Sequence, residues 1–180
     1  GYIQPRVLVE IGSRSLREPF QKRGFRSFVG DYYTDRPFAD DPVEINCVLP
    51  ERTFLEKVFL LHEEFQKPAD KIRTERLSRH LYDIEKLAAK GFAGTAVNNP
   101  DLYTEIVHHR STVNAIRGID YAKHAPEHID PVPPPEILGK WENDYQTMQQ
   151  QMIYGVSLPF GELIDRIQEI KKQINAIKLS

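Results

Sequence analysis

The sequence predicts an α+β fold, with a short sheet in the first 50 residues and a mainly helical body in the rest of its 180 residues. Around residues 7–11 and 43–49, β-branched residues alternate with others, a period of two that is typical of strands. From Thr53 onwards the apolar residues recur every three or four positions, which indicates helices. A content of 40% hydrophobic and 28% charged residues is typical of a folded globular protein.

Two segments are predicted to be strands of one sheet. The first is RVLVEIGS, residues 6–13, in which Glu10 lies on a strand face. The second is VEINCVLP, which ends at Pro50 because proline cannot donate a hydrogen bond to the sheet. Glycines, prolines and scattered charges fill residues 13–42, so this region is predicted to be a loop with at most one short helix or strand.

Three helices are predicted after the second strand. The first, TFLEKVFLLHEEF, has Thr53 as N-cap with a glutamate three residues later, which is the spacing of a capping box. The second is RTERLSRHLYDIEKL, residues 73–87, and the third runs from a cap at Asn98 or Asn99 to a stop at Gly118. The residues predicted to face the core are Val58, Leu61, His62 and Phe65 in the first, Leu77, Leu81, Ile84 and Ala88 in the second, and Leu102, Ile106, Val113 and Ile116 in the third.

The run PVPPPE, residues 131–136, predicts a stiff, extended linker. Two helices with apolar residues at heptad spacing follow it, and we expect them to pack on each other or on the main body. The expected division is a partial sheet in residues 1–50, a helical part in 51–130 and C-terminal helices in 131–180.

Composition excludes several classes of protein. A net charge of -2 and a pI near 6.3 give no overall basic field for nucleic acid. A single cysteine, Cys47, excludes an internal disulfide and a cysteine zinc cluster, and we expect a buried, inert thiol. No apolar run approaches the roughly 18 residues that a membrane span needs, and no signal-peptide pattern occurs, so we expect a cytoplasmic protein. The chain begins with glycine rather than methionine, as expected of a processed tag or of a segment cut from a longer protein.

The predicted helix over residues 73–87 also carries a polar stripe. Its members recur about one turn apart and are Arg76, Arg79, His80, Asp83 and Lys86. Arg79 and Asp83 fit a surface ion pair worth roughly 0.3–0.5 kcal/mol, Lys57 fits a charge that screens its own helix, and Glu10 fits a solvent-exposed carboxylate. Spacing alone leaves these explanations open beside a functional site.

Other motifs with known chemistry are absent from the sequence or incomplete. His108 and His109 are adjacent, so on a helix their rings point about 100° apart and cannot share a metal ion. The Leu61-His62-Glu63-Glu64 stretch lacks the second histidine of a zinc protease motif. No Gly-rich phosphate loop and no Gly-x-Ser-x-Gly turn occurs in the sequence.

Three segments in the right order resemble the AbiEii/AbiGii toxin family of nucleotidyltransferases. They are LVEIGSRSLREP, LPERTFLEKVFLLHEE and RLSRHLYDIEKL. A later segment, ENDYQTMQQQMIYG, residues 142–155, is also similar. The resemblance covers most of residues 6–155 and is most specific from Pro50 to Leu87.

The resemblance implies a partial polymerase-β-like nucleotidyltransferase sheet, packed against the helical body. It also implies transfer of a nucleotide from a nucleoside triphosphate to an acceptor such as tRNA, with Mg²⁺ offsetting the phosphate charge, by a toxin paired with a separate antitoxin. Glu10 matches a metal-binding, catalytic carboxylate of the family. Lys57 and Asp83 would then be catalytic, and the residues expected to bind the nucleotide are Arg14, Arg79 and His80.

One departure from the family pattern is large. The Asp-x-Asp pair that supplies the first metal-binding carboxylates should precede Glu10, but only nine residues stand there. We therefore expect a truncated member without nucleotidyl transfer of its own. One alternative is a catalytically inactive module that binds a protein or RNA partner through its helices, which the missing Asp-x-Asp pair and an exposed apolar row over residues 163–177 would favour. Another alternative is a scaffold domain. An unpaired sheet edge would recruit another chain, so we expect a homodimer or a covered edge.

Overall fold

The computed structural model describes Val9 and residues 20–179, and its fold is α+β. The chain divides into two compact units: a hairpin unit, Leu16–Leu49, and a helical unit that includes Pro50–Ser180. Of the strand predicted over residues 6–13, only Val9 lies within the described residues, so that strand stays a prediction. The division into three parts also stays a prediction.

A two-stranded antiparallel sheet forms the hairpin unit. β1, Phe20–Phe25, pairs with β2, Val43–Val48, and Phe20 lies opposite Val48. β2 confirms the strand that alternation predicts. β1 has no such alternation in its sequence FQKRGF, so its strand conformation comes from pairing with β2. Cys47 on β2 is half-buried, which corrects the expectation of a buried thiol.

A one-turn helix, α1, Phe28–Tyr32, connects the two strands. The hydroxyl of Ser27 caps it by accepting the N–H of Gly30 at 3.0 Å. Asp40 in turn accepts the N–H and the hydroxyl of Ser27 at 2.7 and 2.5 Å, and these bonds lower the pKa of Asp40. The region of residues 13–42 therefore holds both a strand and a helix, which corrects the expectation of at most one.

Residues 50–179 fold into helices joined by short 3₁₀ turns. The helices are α2, Pro50–Phe65; α3, Ser78–Ala89; α4, Phe92–Val97; α5, Pro100–His109; α6, Leu138–Gln151; and α7, Phe160–Asn175. α2 packs on α3, α4 and α5, and α3 also packs on α6 and α7. The large side chains buried between them include Phe54, Phe59, Leu81, Ile84, Tyr103, Trp141 and Tyr145. The burial of these apolar side chains is the main favourable contribution to the stability of the helical unit.

Helix starts differ from the predicted ones in two places. α2 begins at Pro50, because proline at the first helical position already has the required φ, so Thr53 lies in the first turn rather than at the cap. α3 begins at Ser78, and Arg76 before it has a left-handed φ of 59°. Arg76 is therefore not a member of the helical stripe. The core-facing residues Leu77, Leu81 and Ile84 are buried as predicted.

The third predicted helix is shorter than expected. Asn99 caps α5 by accepting the N–H of Leu102 at 3.1 Å, as predicted. The helix then widens into a π turn, Arg110–Asn114, and leaves helical geometry at Ala115, whose φ is 41°. Val113 and Ile116 consequently lie exposed rather than in the core.

α7 is amphipathic, and its apolar row is covered. Leu163, Ile167, Ile170 and Ile174 are at most 1% exposed. α7 packs on α3, α4 and α6, so the row belongs to the core of the helical unit. This confirms the expected packing and removes the exposed apolar row as a ground for the alternative of a binding module. In the part of the chain that the structure describes, no helix is both long and apolar enough to cross a membrane.

Candidate functional site

An ion pair joins the two helices that carry the most specific motifs. Lys57 on α2 and Asp83 on α3 lie 2.7 Å apart, Nζ to Oδ2, with side chains 23% and 38% exposed. α2 and α3 pack against each other, and Val58 on α2 and Leu81 on α3 are both buried. That packing brings the polar borders of both helices together, so two residues 26 positions apart become neighbours.

The pair lies in a hollow of about 350 Å³ on the helical unit. Its walls are Thr53, Lys57, Asp83, Lys86, Leu87 and Lys90. Three lysines against one aspartate give the hollow an excess of positive charge. A site of this charge favours anionic ligands such as phosphate groups.

His80 lies one turn before Asp83 and is 9% exposed. Its Nδ1 has no hydrogen-bond partner within the described residues. Burial, together with the positive charges of Lys57 and Arg79, lowers the pKa of His80 to about 4. The imidazole is therefore uncharged at neutral pH and can take part in hydrogen bonding but does not contribute a cation.

Arg79 stands beside His80, on the first turn of α3. Asp83 pairs with Lys57, not with Arg79, so the helix-surface pair considered above does not form. Across residues 20–179, the side chain of Arg79 makes no hydrogen bond or ion pair. Its guanidinium is thus available for a ligand, and a planar fork of donors suits phosphate oxygens.

We expect the histidines to make stability depend on pH. Burial is the main cause that lowers the pKa of His62 and His80 to about 4, from an ordinary 6.5. Well above pH 6.5 both imidazoles are neutral in the folded and in the unfolded state. As the pH falls from 6.5 to 4, the unfolded state binds protons first, so the free energy of unfolding decreases, by roughly 2–3 kcal/mol for each histidine.

Urea denaturation at pH 7.0, 6.0 and 5.0 measures this effect. The variant His80→Gln should weaken the pH dependence, and His62→Gln should do the same. An unchanged dependence in both variants would show that neither imidazole is held neutral by the fold.

Two predicted site residues cannot be placed beside Lys57, Arg79, His80 and Asp83. Glu10 and Arg14 lie outside the described residues, so their roles stay predictions. Among residues 20–179, no group of three histidine, cysteine, aspartate or glutamate side chains is arranged to hold a metal ion. Asp83 is a single carboxylate already paired with a lysine. The described residues therefore do not by themselves fit the Mg²⁺ site that the family resemblance implies.

A buried polar network joins Glu56 and Glu63 on α2 to Arg110 and His124. The sequence did not indicate it. Arg110 donates to both carboxylate oxygens of Glu63, at 2.7 and 2.5 Å, and to Glu56 at 2.5 Å. His124 Nε2 lies 3.1 Å from Glu63. Burial alone would raise the pKa of Glu63, but the hydrogen bonds from Arg110 and His124 hold it below its ordinary value. All contacts of this network are internal, so it supports the fold.

A larger hollow of about 750 Å³ lies at the proline-rich run. Some polar groups on its wall pair with one another: the N–H of Asp130 donates to His62 Nδ1 at 3.1 Å, and Asp130 pairs with Lys171 at 2.5 Å. Its size alone would suggest a ligand site. The Lys57–Asp83 hollow is the better candidate, because its ion pair joins the two helices with the most specific motifs and the buried Nδ1 of His80 beside it has no hydrogen-bond partner within the described residues.

Comparison with protein families identifies the chain. Residues 1–170 match the model described as nucleotidyl transferase AbiEii toxin, type IV TA system. Comparison with curated proteins and with solved structures gives no significant match. The family match covers nearly the whole chain, including Lys57, Arg79, His80 and Asp83. The chain therefore belongs to the AbiEii family of nucleotidyl transferase toxins of type IV toxin–antitoxin systems.

Proposed function

We propose that the chain is the C-terminal portion of a toxin that transfers a nucleotide from a nucleoside triphosphate to an acceptor hydroxyl, such as the 3′ end of tRNA. In this reaction the acceptor hydroxyl releases its proton to solvent and its oxygen forms a bond to the α-phosphorus. The bond from that phosphorus to the oxygen that bridges it to the β-phosphorus breaks, and pyrophosphate leaves. Catalysis of such a step depends mainly on positioning and on charge stabilisation. We also propose that residues 1–50 form part of a polymerase-β-like nucleotidyltransferase sheet.

The observation that carries the proposal is the Lys57–Asp83 pair in a hollow with an excess of lysines. Lys57 would donate to a phosphate oxygen where negative charge develops in the transition state. Asp83 would hold the ammonium group of Lys57 in place, because a partly buried ion pair restricts an otherwise flexible side chain.

Arg79 and His80 would bind the nucleotide, together with Arg14. The unpaired guanidinium of Arg79 suits two phosphate oxygens at once. His80, uncharged at neutral pH, would give a hydrogen bond without adding charge. These roles place two kinds of donor on the first turn of α3, next to the catalytic pair.

Mg²⁺ is proposed for the complete site. Its ligands would be Glu10 and an Asp-x-Asp pair, and the sequence of 180 residues contains no Asp-x-Asp pair. We therefore propose that these 180 residues do not transfer a nucleotide alone. The activity would belong to a protein that also carries such a pair.

Further parts of the proposal are the partners and the location. The toxin would act in the cytoplasm and be opposed by a separate antitoxin protein, and its sheet edge would be covered or paired in a homodimer. The alternative of a binding module loses one of its two grounds, because the apolar row of α7 is buried, and keeps the other, the missing Asp-x-Asp pair.

A transfer assay tests the proposal. Full-length toxin, radiolabelled nucleoside triphosphates, Mg²⁺ and total tRNA should give labelled RNA, whereas the 180-residue chain should give none. A full-length variant with both Asp-x-Asp carboxylates changed to asparagine is the control and should be inactive. Absence of label with all four nucleotides and the full-length protein would refute the activity, and transfer by the 180-residue chain alone would refute its proposed dependence on the Asp-x-Asp segment.

A further inference from the structure

The start of α3 has no cap of its own. Leu77 occupies the N-cap position, and its side chain has no oxygen to accept the free N–H groups of the first turn. Those N–H groups lie in the helical core, where Leu77 and Ser78 are buried. A helix start of this kind needs an acceptor from elsewhere in the fold.

Asp144 on α6 is that acceptor. Its Oδ1 accepts the N–H of Arg76 at 2.7 Å, and its Oδ2 accepts the N–H of Ser78 at 3.1 Å and the hydroxyl of Ser78 at 2.5 Å. One carboxylate thus replaces a local cap with three hydrogen bonds, although it is 66 residues away from Ser78 in sequence. Its negative charge also suits the positive end of the helix dipole.

The turn before α3 is held at both of its ends. Glu64 on α2 accepts from the backbone N–H of Arg73 at 2.8 Å and from its guanidinium at 2.8 and 3.1 Å. Asp144 holds the other end, at Arg76, whose left-handed φ of 59° is unfavourable for a residue with a side chain. The contacts from two other helices therefore determine where α3 starts.

Arg79 and His80 are the second and third residues of α3, directly after Ser78. If the first turn unwound, both side chains would move away from Lys57 and Asp83. Resting on the function proposed above, we propose that Asp144 is a positioning residue: it fixes the first turn of α3 and thereby holds Arg79 and His80 beside the Lys57–Asp83 pair. It acts through the backbone of α3 and touches none of these four side chains.

Asn99 provides a matched control for Asp144. It also caps a helix by a hydrogen bond from its side chain, at 3.1 Å to the N–H of Leu102, but it caps α5. In the full-length toxin, Asp144→Ala and Asn99→Ala should both lower the melting temperature. Only Asp144→Ala should also raise the KM for the nucleoside triphosphate, by about tenfold or more, at a temperature where both variants are folded. Asp144→Asn, which keeps one acceptor oxygen, should lie between wild type and Asp144→Ala.

A second measurement does not depend on catalysis. In the 180-residue chain, NMR titration should find His80 with a pKa near 4 in the wild type and in Asn99→Ala. In Asp144→Ala the exposed imidazole should titrate closer to its ordinary 6.5. Inactivity of the wild-type toxin would refute the proposed function but leave this titration as the test of positioning. A His80 titration that is the same in Asp144→Ala and Asn99→Ala would overturn the role of Asp144, as would equal KM values in an active toxin.

Discussion

Replacing Lys57 or Asp83 with alanine in the full-length toxin is expected to reduce nucleotide transfer by about 10²–10³-fold, the range found when one preorganised charge-stabilising group is removed. The physical reason is that Asp83 holds the ammonium charge of Lys57 in a fixed place, 2.7 Å from its carboxylate. Both variants should stay folded, because the side chains are 23% and 38% exposed and exposed pairs contribute at most about 1 kcal/mol.

The transfer rate of the double variant sharpens this expectation. If Asp83 acts by holding Lys57, then Lys57→Ala combined with Asp83→Ala should be no slower than the slower single variant, because residues that act as a unit are not additive. Multiplied losses would instead mean that the two side chains act independently. Steady-state rates with labelled nucleotide give both answers.

Lys171 and Asp130 form a matched control pair. They lie 2.5 Å apart and join α7 to the residue just before the proline-rich run, with side chains 35% and 47% exposed. Lys171→Ala should therefore change stability about as much as Lys57→Ala and leave transfer unchanged. Equal losses of transfer in the two lysine variants would show that Lys57 serves the fold alone.

The helical half of the fold was predictable because its signals are local. Periods of three and four residues place Leu81 and Ile84 in the core, and the asparagine before a proline indicates the start of α5 at Pro100. Both signals lie within one or two turns of the residues that they determine. α4, Phe92–Val97, was missed because its sequence FAGTAV is too short to show a period.

Long-range contacts explain the errors at helix ends. The polar segment before α3 has helix-forming residues, but the chain there turns at Arg76 because Asp144 and Glu64 bind its backbone. Asp144 and Glu64 lie outside residues 73–87, so the sequence pattern of that segment cannot reveal them. Spacing also suggested a local pair between Arg79 and Asp83, whereas the structure pairs Asp83 with Lys57 on another helix.

Glu63 illustrates the same limit for buried charges. In sequence it appears only as part of a failed zinc motif. In the fold it is 3% exposed and receives Arg110 and His124, which lie 47 and 61 residues further along the chain. The only local hint is a cluster of charged residues on the otherwise apolar α2.

Replacing Arg110 with alanine is expected to lower the free energy of unfolding by about 3–5 kcal/mol, because it leaves the Glu63 carboxylate buried without its main partner. Urea denaturation of the 180-residue chain at pH 7 measures the change. The matched control is Arg73→Ala: its guanidinium pairs with the buried Glu64, but its side chain is 63% exposed, and Lys67 at 2.7 Å and the N–H of residue 73 still pair with that carboxylate.

A double variant distinguishes the cost of leaving Glu63 unpaired from the net contribution of the Arg110–Glu63 pair to the free energy of unfolding. Arg110→Met with Glu63→Leu removes both charges and keeps most of the volume, so it should recover much of the loss seen in Arg110→Ala, since an apolar pair avoids the desolvation of two ions. The Arg73→Ala control should lose only about 1 kcal/mol. A loss in Arg110→Ala no larger than this would contradict the prediction, because it would mean that water or another cation reaches Glu63 without disturbing the packing of α2 against α5.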